Sequence, residues 1–115
     1  MKIKKAWGET EKIFERNGVT NWPIFVNKGG YCSKHKHKTK VNGFYIFSGK
    51  LEITTWDKLG HEHKTVLGRG DSTYIDIEIY HRFLALTDVT GIEIYYTNVQ
   101  DDDIVRESLG GMREM

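Results

Sequence analysis

Residues 29–49 read Gly-Gly-Tyr-Cys-Ser-Lys-His-Lys-His-Lys-Thr-Lys-Val-Asn-Gly-Phe-Tyr-Ile-Phe-Ser-Gly. The stretch predicts a strand, a turn and a second strand. Between Lys34 and Lys40 a lysine stands at every second position. Successive side chains of a strand leave by opposite faces, so the four lysines share one face and His35 and His37 the other. A row of lysines marks the solvated face and also guards a sheet edge. The two imidazoles then point inward, where both can reach one metal ion.

Composition narrows the classes open to the chain. At 115 residues and 38% hydrophobic content it has room for one domain, 1–115, around a single core. Lys and Arg number 17 against 16 Asp and Glu, so no global field recruits nucleic acid or a membrane surface. The interleaved His and Thr also argue against reading the lysine run as a polyanion patch. No apolar run approaches the ~20 residues that cross a bilayer, and Met1 to Trp7 lacks the apolar centre of a signal peptide. Cys32 is the only cysteine and has no internal partner. A cytoplasmic protein is expected.

Outward from the central stretch, short β patterns alternate with turn signals. Asn17-Gly18 predicts a hairpin, and Trp22, Ile24 and Val26 share one face of the strand that follows it. Lys50–Trp56 and His61–Leu67 flank the turn Asp57-Lys58-Leu59-Gly60, and Gly68-Arg69-Gly70-Asp71 turns the chain again. Strands are expected at Ser72–Ile77, His81–Thr87 and Ile92–Thr97, before an irregular acidic tail, 101–115. In the last strand Ile92, Ile94 and Tyr96 are expected to face inward and Glu93 outward. Met1–Gly8 is expected either to pair as an edge strand or to lie against a second subunit. About eight short strands without helical periodicity indicate an all-β sandwich or barrel, and for this length a jelly roll.

The spacing resembles that of the cupin superfamily of small jelly-roll barrels. Its first motif, G-x5-H-x-H-x3-or-4-E-x6-G, is matched at every interval by Gly29, His35, His37, Asn42 and Gly49, with Asn42 in place of glutamate. Its second, G-x5-P-x-G-x2-H-x3-N, is matched in interval across 70–85, where Gly70 and His81 hold and Asp76, Glu78 and Ala85 replace the other members. Within the superfamily the chain resembles the cupin domain of type II mannose-6-phosphate isomerases. Lys5-Ala6-Trp7-Gly8, Ser72-Thr73-Tyr74-Ile75, His81-Arg82 and Asp102-Asp103-Ile104-Val105-Arg106 carry that likeness. Those isomerases have glutamine at the position of His35 and glutamate at that of Asn42.

The resemblance implies a metal site of His35, His37 and His81, with Asn42 where a fourth ligand is expected. Imidazoles suit Fe(II), Ni(II), Zn(II) or Mn(II) and leave open positions for water or a small-molecule ligand. By strand parity Ser33, Phe44, Ile46 and Phe83 line the pocket with Tyr31, the candidate proton donor, while Cys32 and Arg82 face away. His61-Glu62-His63 reads as a solvated loop with no third ligand. Three functions fit: a sugar or sugar-phosphate isomerase or epimerase, a three-histidine Fe(II) dioxygenase, and a ligand-binding module. The isomerase lacks an obvious inward carboxylate base. Trp7, Tyr45 and Phe47 offer outward apolar surface, which predicts a homodimer.

Overall fold

In the computed structural model, which describes residues 1–97, 107 and 109–115, ten β-strands form two antiparallel sheets. They are β1 (Ile3–Lys5), β2 (Gly8–Thr10), β3 (Phe14–Arg16), β4 (Val19–Val26), β5 (Val41–Ser48), β6 (Leu51–Trp56), β7 (Glu62–Leu67), β8 (Ser72–Ile75), β9 (Tyr80–Ala85) and β10 (Val89–Tyr96). The larger sheet runs β1-β2-β4-β10-β5-β8, with β3 also paired to β4, and the smaller runs β7-β6-β9. The opening segment is the expected edge strand, and Asn17-Gly18 joins β3 to β4 with both residues at positive φ. The tail residues 101–106, including those compared with the isomerases, lie outside the described residues.

The core sits between the two sheets and is built from alternate positions on their strands. Ile24 and Val26 of β4, Phe44 and Ile46 of β5, Leu51 and Ile53 of β6, and Phe83 and Ala85 of β9 are buried together. On the opposite faces of β4 and β5, Phe25, Tyr45 and Phe47 are exposed. Between β5 and β10 the register slips: Thr90 pairs with Ser48 but Gly91 pairs with Ile46, which leaves Phe47 as the extra residue of a β-bulge. The chains approach closely there, since a Cβ on Gly91 would stand 2.6 Å from the Tyr45 carbonyl oxygen.

Two expectations are corrected. Residues 29–40 do not form a regular strand; only isolated bridges tie them to β9, Tyr31 to Leu84 and His35 to His81. The first pair is four residues from the second on this segment and three on β9, so one extra residue interrupts the alternation. Parity counted back from His35 therefore fails, and Cys32 turns inward against the core while Tyr31 is 62% exposed. The second correction concerns β10, where Val89, Gly91 and Glu93 are buried and Ile92 and Ile94 lie on the other, half-covered face.

Gly49 has φ +86, and a Cβ there would meet the Asp88 carbonyl oxygen at 2.0 Å, whereas Gly60 has φ +84 with open space around it. Left-handed strain alone operates at Gly60; strain and a backbone collision operate at Gly49. Gly60→Ala should destabilise by about 1 kcal/mol and Gly49→Ala by about 3 kcal/mol or more. Urea midpoints of the two variants check the difference.

Candidate metal centre

Three imidazoles meet at one end of the barrel interior. One ring nitrogen from each of His35, His37 and His81 lies within 4.8 Å of the others. His81 comes from β9, while His35 and His37 come from the irregular segment that the His35–His81 bridge pins against it. Backbone bonds run both ways across that bridge, 3.1 Å from His35 N to the His81 oxygen and 2.8 Å in return.

The ring partners decide which nitrogens remain free. His35 Nδ1 is 2.7 Å from the Ser33 carbonyl oxygen, and His81 Nδ1 is 3.0 Å from that of Ile79. A carbonyl only accepts, so both Nδ1 atoms carry the proton and both Nε2 atoms carry a lone pair. His37 Nε2 is buried with no hydrogen-bond partner. The same end of the barrel holds Asn42 of β5, 1% exposed, whose Oδ1 stands 3.2 Å from His81 Nε2. Two acceptors thus face each other. Turning the amide over would not help, because its Nδ2 now donates to the Gly43 carbonyl oxygen at 3.3 Å as well as to Glu93 Oε2, and the flip would set the amide oxygen against a carbonyl that only accepts. Buried lone pairs that meet in this way call for a cation between them.

Burial favours the neutral form of two of the three rings. His81 is lowered from 6.5 to about 4, first by desolvation, and His37 is lowered by desolvation and then by the neighbouring His35. Neutral imidazole is the form that binds metal. Three such nitrogens and an amide oxygen suit a first-row transition ion and fit poorly with calcium.

A cavity of about 670 Å³ opens onto the cluster. Phe44 and Phe83 form part of its wall, Trp7 and Trp22 flank it, and Lys5 and Lys40 stand on its lining. Lys40 therefore leaves the lysine row assigned to the outer face. Tyr31 and Ser33 belong to the lining but are exposed, and Ile46 is wholly buried in the apolar core and is not on the lining. Cys32 also lines the cavity; burial raises its thiol to about 11, so it is a packing group rather than a nucleophile. His61 and His63 are exposed beside Asp57, away from the cavity.

Glu93 and Tyr95 were not expected here. Parity on β10 brings both side chains inward, and Tyr95 Oη donates to Glu93 Oε2 at 2.8 Å. The Tyr95 ring lies against that of His37, with centroids 5.1 Å apart. Desolvation raises the Glu93 carboxyl, and desolvation together with the Glu93 carboxylate raises the Tyr95 phenol, so Tyr95 stays a donor. The polar Glu93 and Tyr95 alternating with Ile92 and Ile94 were a signal in the sequence, but the apolar pair drew the inward assignment.

An all-β jelly roll that gathers three histidines at one end of its interior defines the class. The family model for the cupin domain matches residues 24–95, more than half of the chain, and the chain belongs to that family. No curated protein matches by sequence. Among solved structures, a variant of Bacillus subtilis oxalate decarboxylase superposes with TM-score 0.75 at 16% identity, over 84% of this chain and 27% of that one. KdgF from Halomonas sp. gives TM-score 0.71 at 17% identity, covering 87% and 88%. A further structure of the B. subtilis decarboxylase, studied for its Mn(II) centres, gives 0.76 at 16% identity over 90% and 29%. The chain thus spans under a third of the decarboxylase but most of KdgF, and at these identities the likeness is one of fold.

The buried neutral His81 has a consequence for stability. Between pH 6.5 and about 4 the unfolded chain binds a proton at this residue that the folded chain does not. Stability of the metal-free protein should therefore fall as the pH is lowered through that window. In His81→Gln much of this slope should vanish; urea titrations at about pH 7, 5.5 and 4.5 give the measurement.

Proposed function

We propose that this cupin is a mononuclear transition-metal protein that acts on a small anionic, hydroxylated molecule of the sugar-phosphate kind by moving a proton beside a carbonyl. The observation that carries the reading is a set of buried polar atoms left unmatched: His37 Nε2 has no partner, and His81 Nε2 faces Asn42 Oδ1, acceptor to acceptor. His35, His37 and His81 would hold the ion through Nε2, with the Asn42 oxygen beside them. A bound divalent ion supplies Lewis acidity toward a carbonyl or hydroxyl oxygen and steadies negative charge that develops there.

The rest of the work falls to the chain. With imidazoles and an amide as donors, no carboxylate neutralises the centre, which favours an anionic ligand. Lys5 and Lys40 on the cavity lining add attraction for a phosphate or carboxylate group. Trp7 and Trp22 offer flat surfaces to the apolar face of a sugar ring. Glu93 supplies the inward carboxylate that proton abstraction needs, and Tyr95 Oη holds one of its oxygens. That carboxylate favours the isomerase or epimerase reading over the three-histidine dioxygenase, which requires no base.

Protein purified without an affinity tag should contain a first-row metal, Fe, Ni, Zn or Mn, that His37→Ala/His81→Ala loses. Incubated in deuterated water with a panel of aldose and ketose phosphates, the metal-loaded protein should place deuterium on carbon. Glu93→Gln should lower that exchange about 100-fold or more with metal retained. Absence of exchange with every sugar phosphate, together with oxygen uptake by the Fe(II) form, would replace this reading with the dioxygenase.

The same reading includes a homodimer through the outer face of the larger sheet, where Phe25, Tyr45 and Phe47 are exposed. Light scattering should give twice 13.4 kDa at micromolar concentration, and Phe47→Lys should shift the particle toward the monomer.

A further inference from the structure

Among the described residues, Glu78 is one of two non-glycine residues with positive φ, at +64. The other, Asn17, belongs to a residue type that tolerates this conformation and sits in a hairpin turn. Glutamate does not tolerate it readily, and a glycine at 78 would make the same backbone turn without strain. The side chain must therefore contribute something that offsets the cost.

Its contacts are with the stretch that carries two of the three histidines. Glu78 N donates to the His37 carbonyl oxygen at 2.7 Å, and its Oε2 pairs with Lys36 Nζ at 3.0 Å. One residue thus holds both the backbone of the second histidine and the side chain between the two. The neighbouring lysines are seated as well: Lys34 Nζ lies 4.0 Å from the Trp56 ring centroid, and Lys36 Nζ lies 5.0 Å from that of Tyr80. Trp56 and Tyr80 are partners across β6 and β9. The segment lacks a strand ladder, and past the His35–His81 bridge the His37 carbonyl has Glu78 as its backbone partner.

We infer that Glu78 is a positioning residue for the metal centre: through Lys36 and the His37 carbonyl it clamps the His35–His37 segment onto β9, and the left-handed backbone is the strain accepted for that grip. Lys34 and Lys36 then serve as the outer fastening of the same segment rather than as a patch for a polyanion. The inference rests on the metal reading above, because positioning has meaning only if the histidines bind an ion.

The test uses Glu78→Gly, which relieves the strain and removes the carboxylate's hold on Lys36 while keeping the backbone N–H to the His37 carbonyl, and Lys36→Met, which removes the same ion pair and leaves the turn untouched. Metal-free Glu78→Gly should unfold at a urea concentration equal to or above that of the wild type. In both variants, amide exchange of the metal-free protein should speed up about tenfold at His35 and at position 78, the donors that fasten the segment. Competitive chelator titration with Zn(II) or Co(II) should show dissociation constants raised about five- to tenfold, with Glu78→Gln between these and the wild type. A residue of the turn and nothing more would give higher stability in Glu78→Gly with exchange and metal constants within about twofold of the wild type, and that result overturns the inference. Faster exchange with unchanged metal constants overturns it equally, since the clamp would then not position ligands. A wild type that binds no metal removes the metal reading, and the exchange arm alone then decides whether the clamp exists.

Discussion

The reciprocal backbone pair between His35 and His81 is the constraint on which the candidate site depends. Here the segment that bears His35 and His37 meets β9 with a bond in each direction beside the imidazoles, and brings the rings of His35 and His81 together, centroids 4.5 Å apart. Each such bond contributes only about 1 kcal/mol net, so the segment is held by few and weak fastenings compared with the ladders around it. An ion that needs ligands from both sides of the bridge would gain its affinity partly by closing this joint. Ligand geometry and local stability are coupled through the same two hydrogen bonds.

Around the joint, the interior is polar without being charged by the usual means. Three imidazoles, two of them held toward the neutral form by burial, an amide, a phenol and one buried carboxylate share a space bounded by Phe44 and Phe83. In such a medium an unmatched lone pair costs more than in water, and a single added cation settles several of them at once. The carboxylate does not touch the imidazoles directly; Asn42 stands between, with its nitrogen toward Glu93 and its oxygen toward His81. The amide therefore keeps the anionic oxygen beside the centre and off it. A glutamate at the same position would set two carboxylates against each other.

Much of this was legible in the sequence, and the failures have a common cause. The intervals from Gly29 to Gly49 and from Gly70 to Ala85 pointed to the jelly roll and the three histidines, because side chains fixed at both ends of a regular spacing survive irregular backbone between them. Parity did not survive it. One extra residue between Tyr31 and His35 sent Cys32 inward and left Tyr31 at the rim. On β10 the alternation was real but its sense was inverted, since hydrophobic residues mark the more apolar face of a strand, and this strand, which walls a polar cavity, carries its apolar residues outside. Glu78 was visible as a departure from a glycine, yet only the backbone angle shows what that departure accomplishes.

The bulge at Phe47 sets the phase of the barrel wall. With Gly91 opposite Ile46, the positions that continue inward along β10 are Glu93 and Tyr95, facing Phe44 and Asn42 across the ladder. A shift of one residue in that strand would exchange them for Ile92 and Ile94, close the space with aliphatic side chains and carry the carboxylate to the surface. Deletion of a single residue from β10 would thus be enough to turn a wet chamber into a dry one with no change in amino-acid type. Insertions and deletions near Thr90, more than point substitutions, are the changes by which chains of this kind could gain or lose a chemical interior.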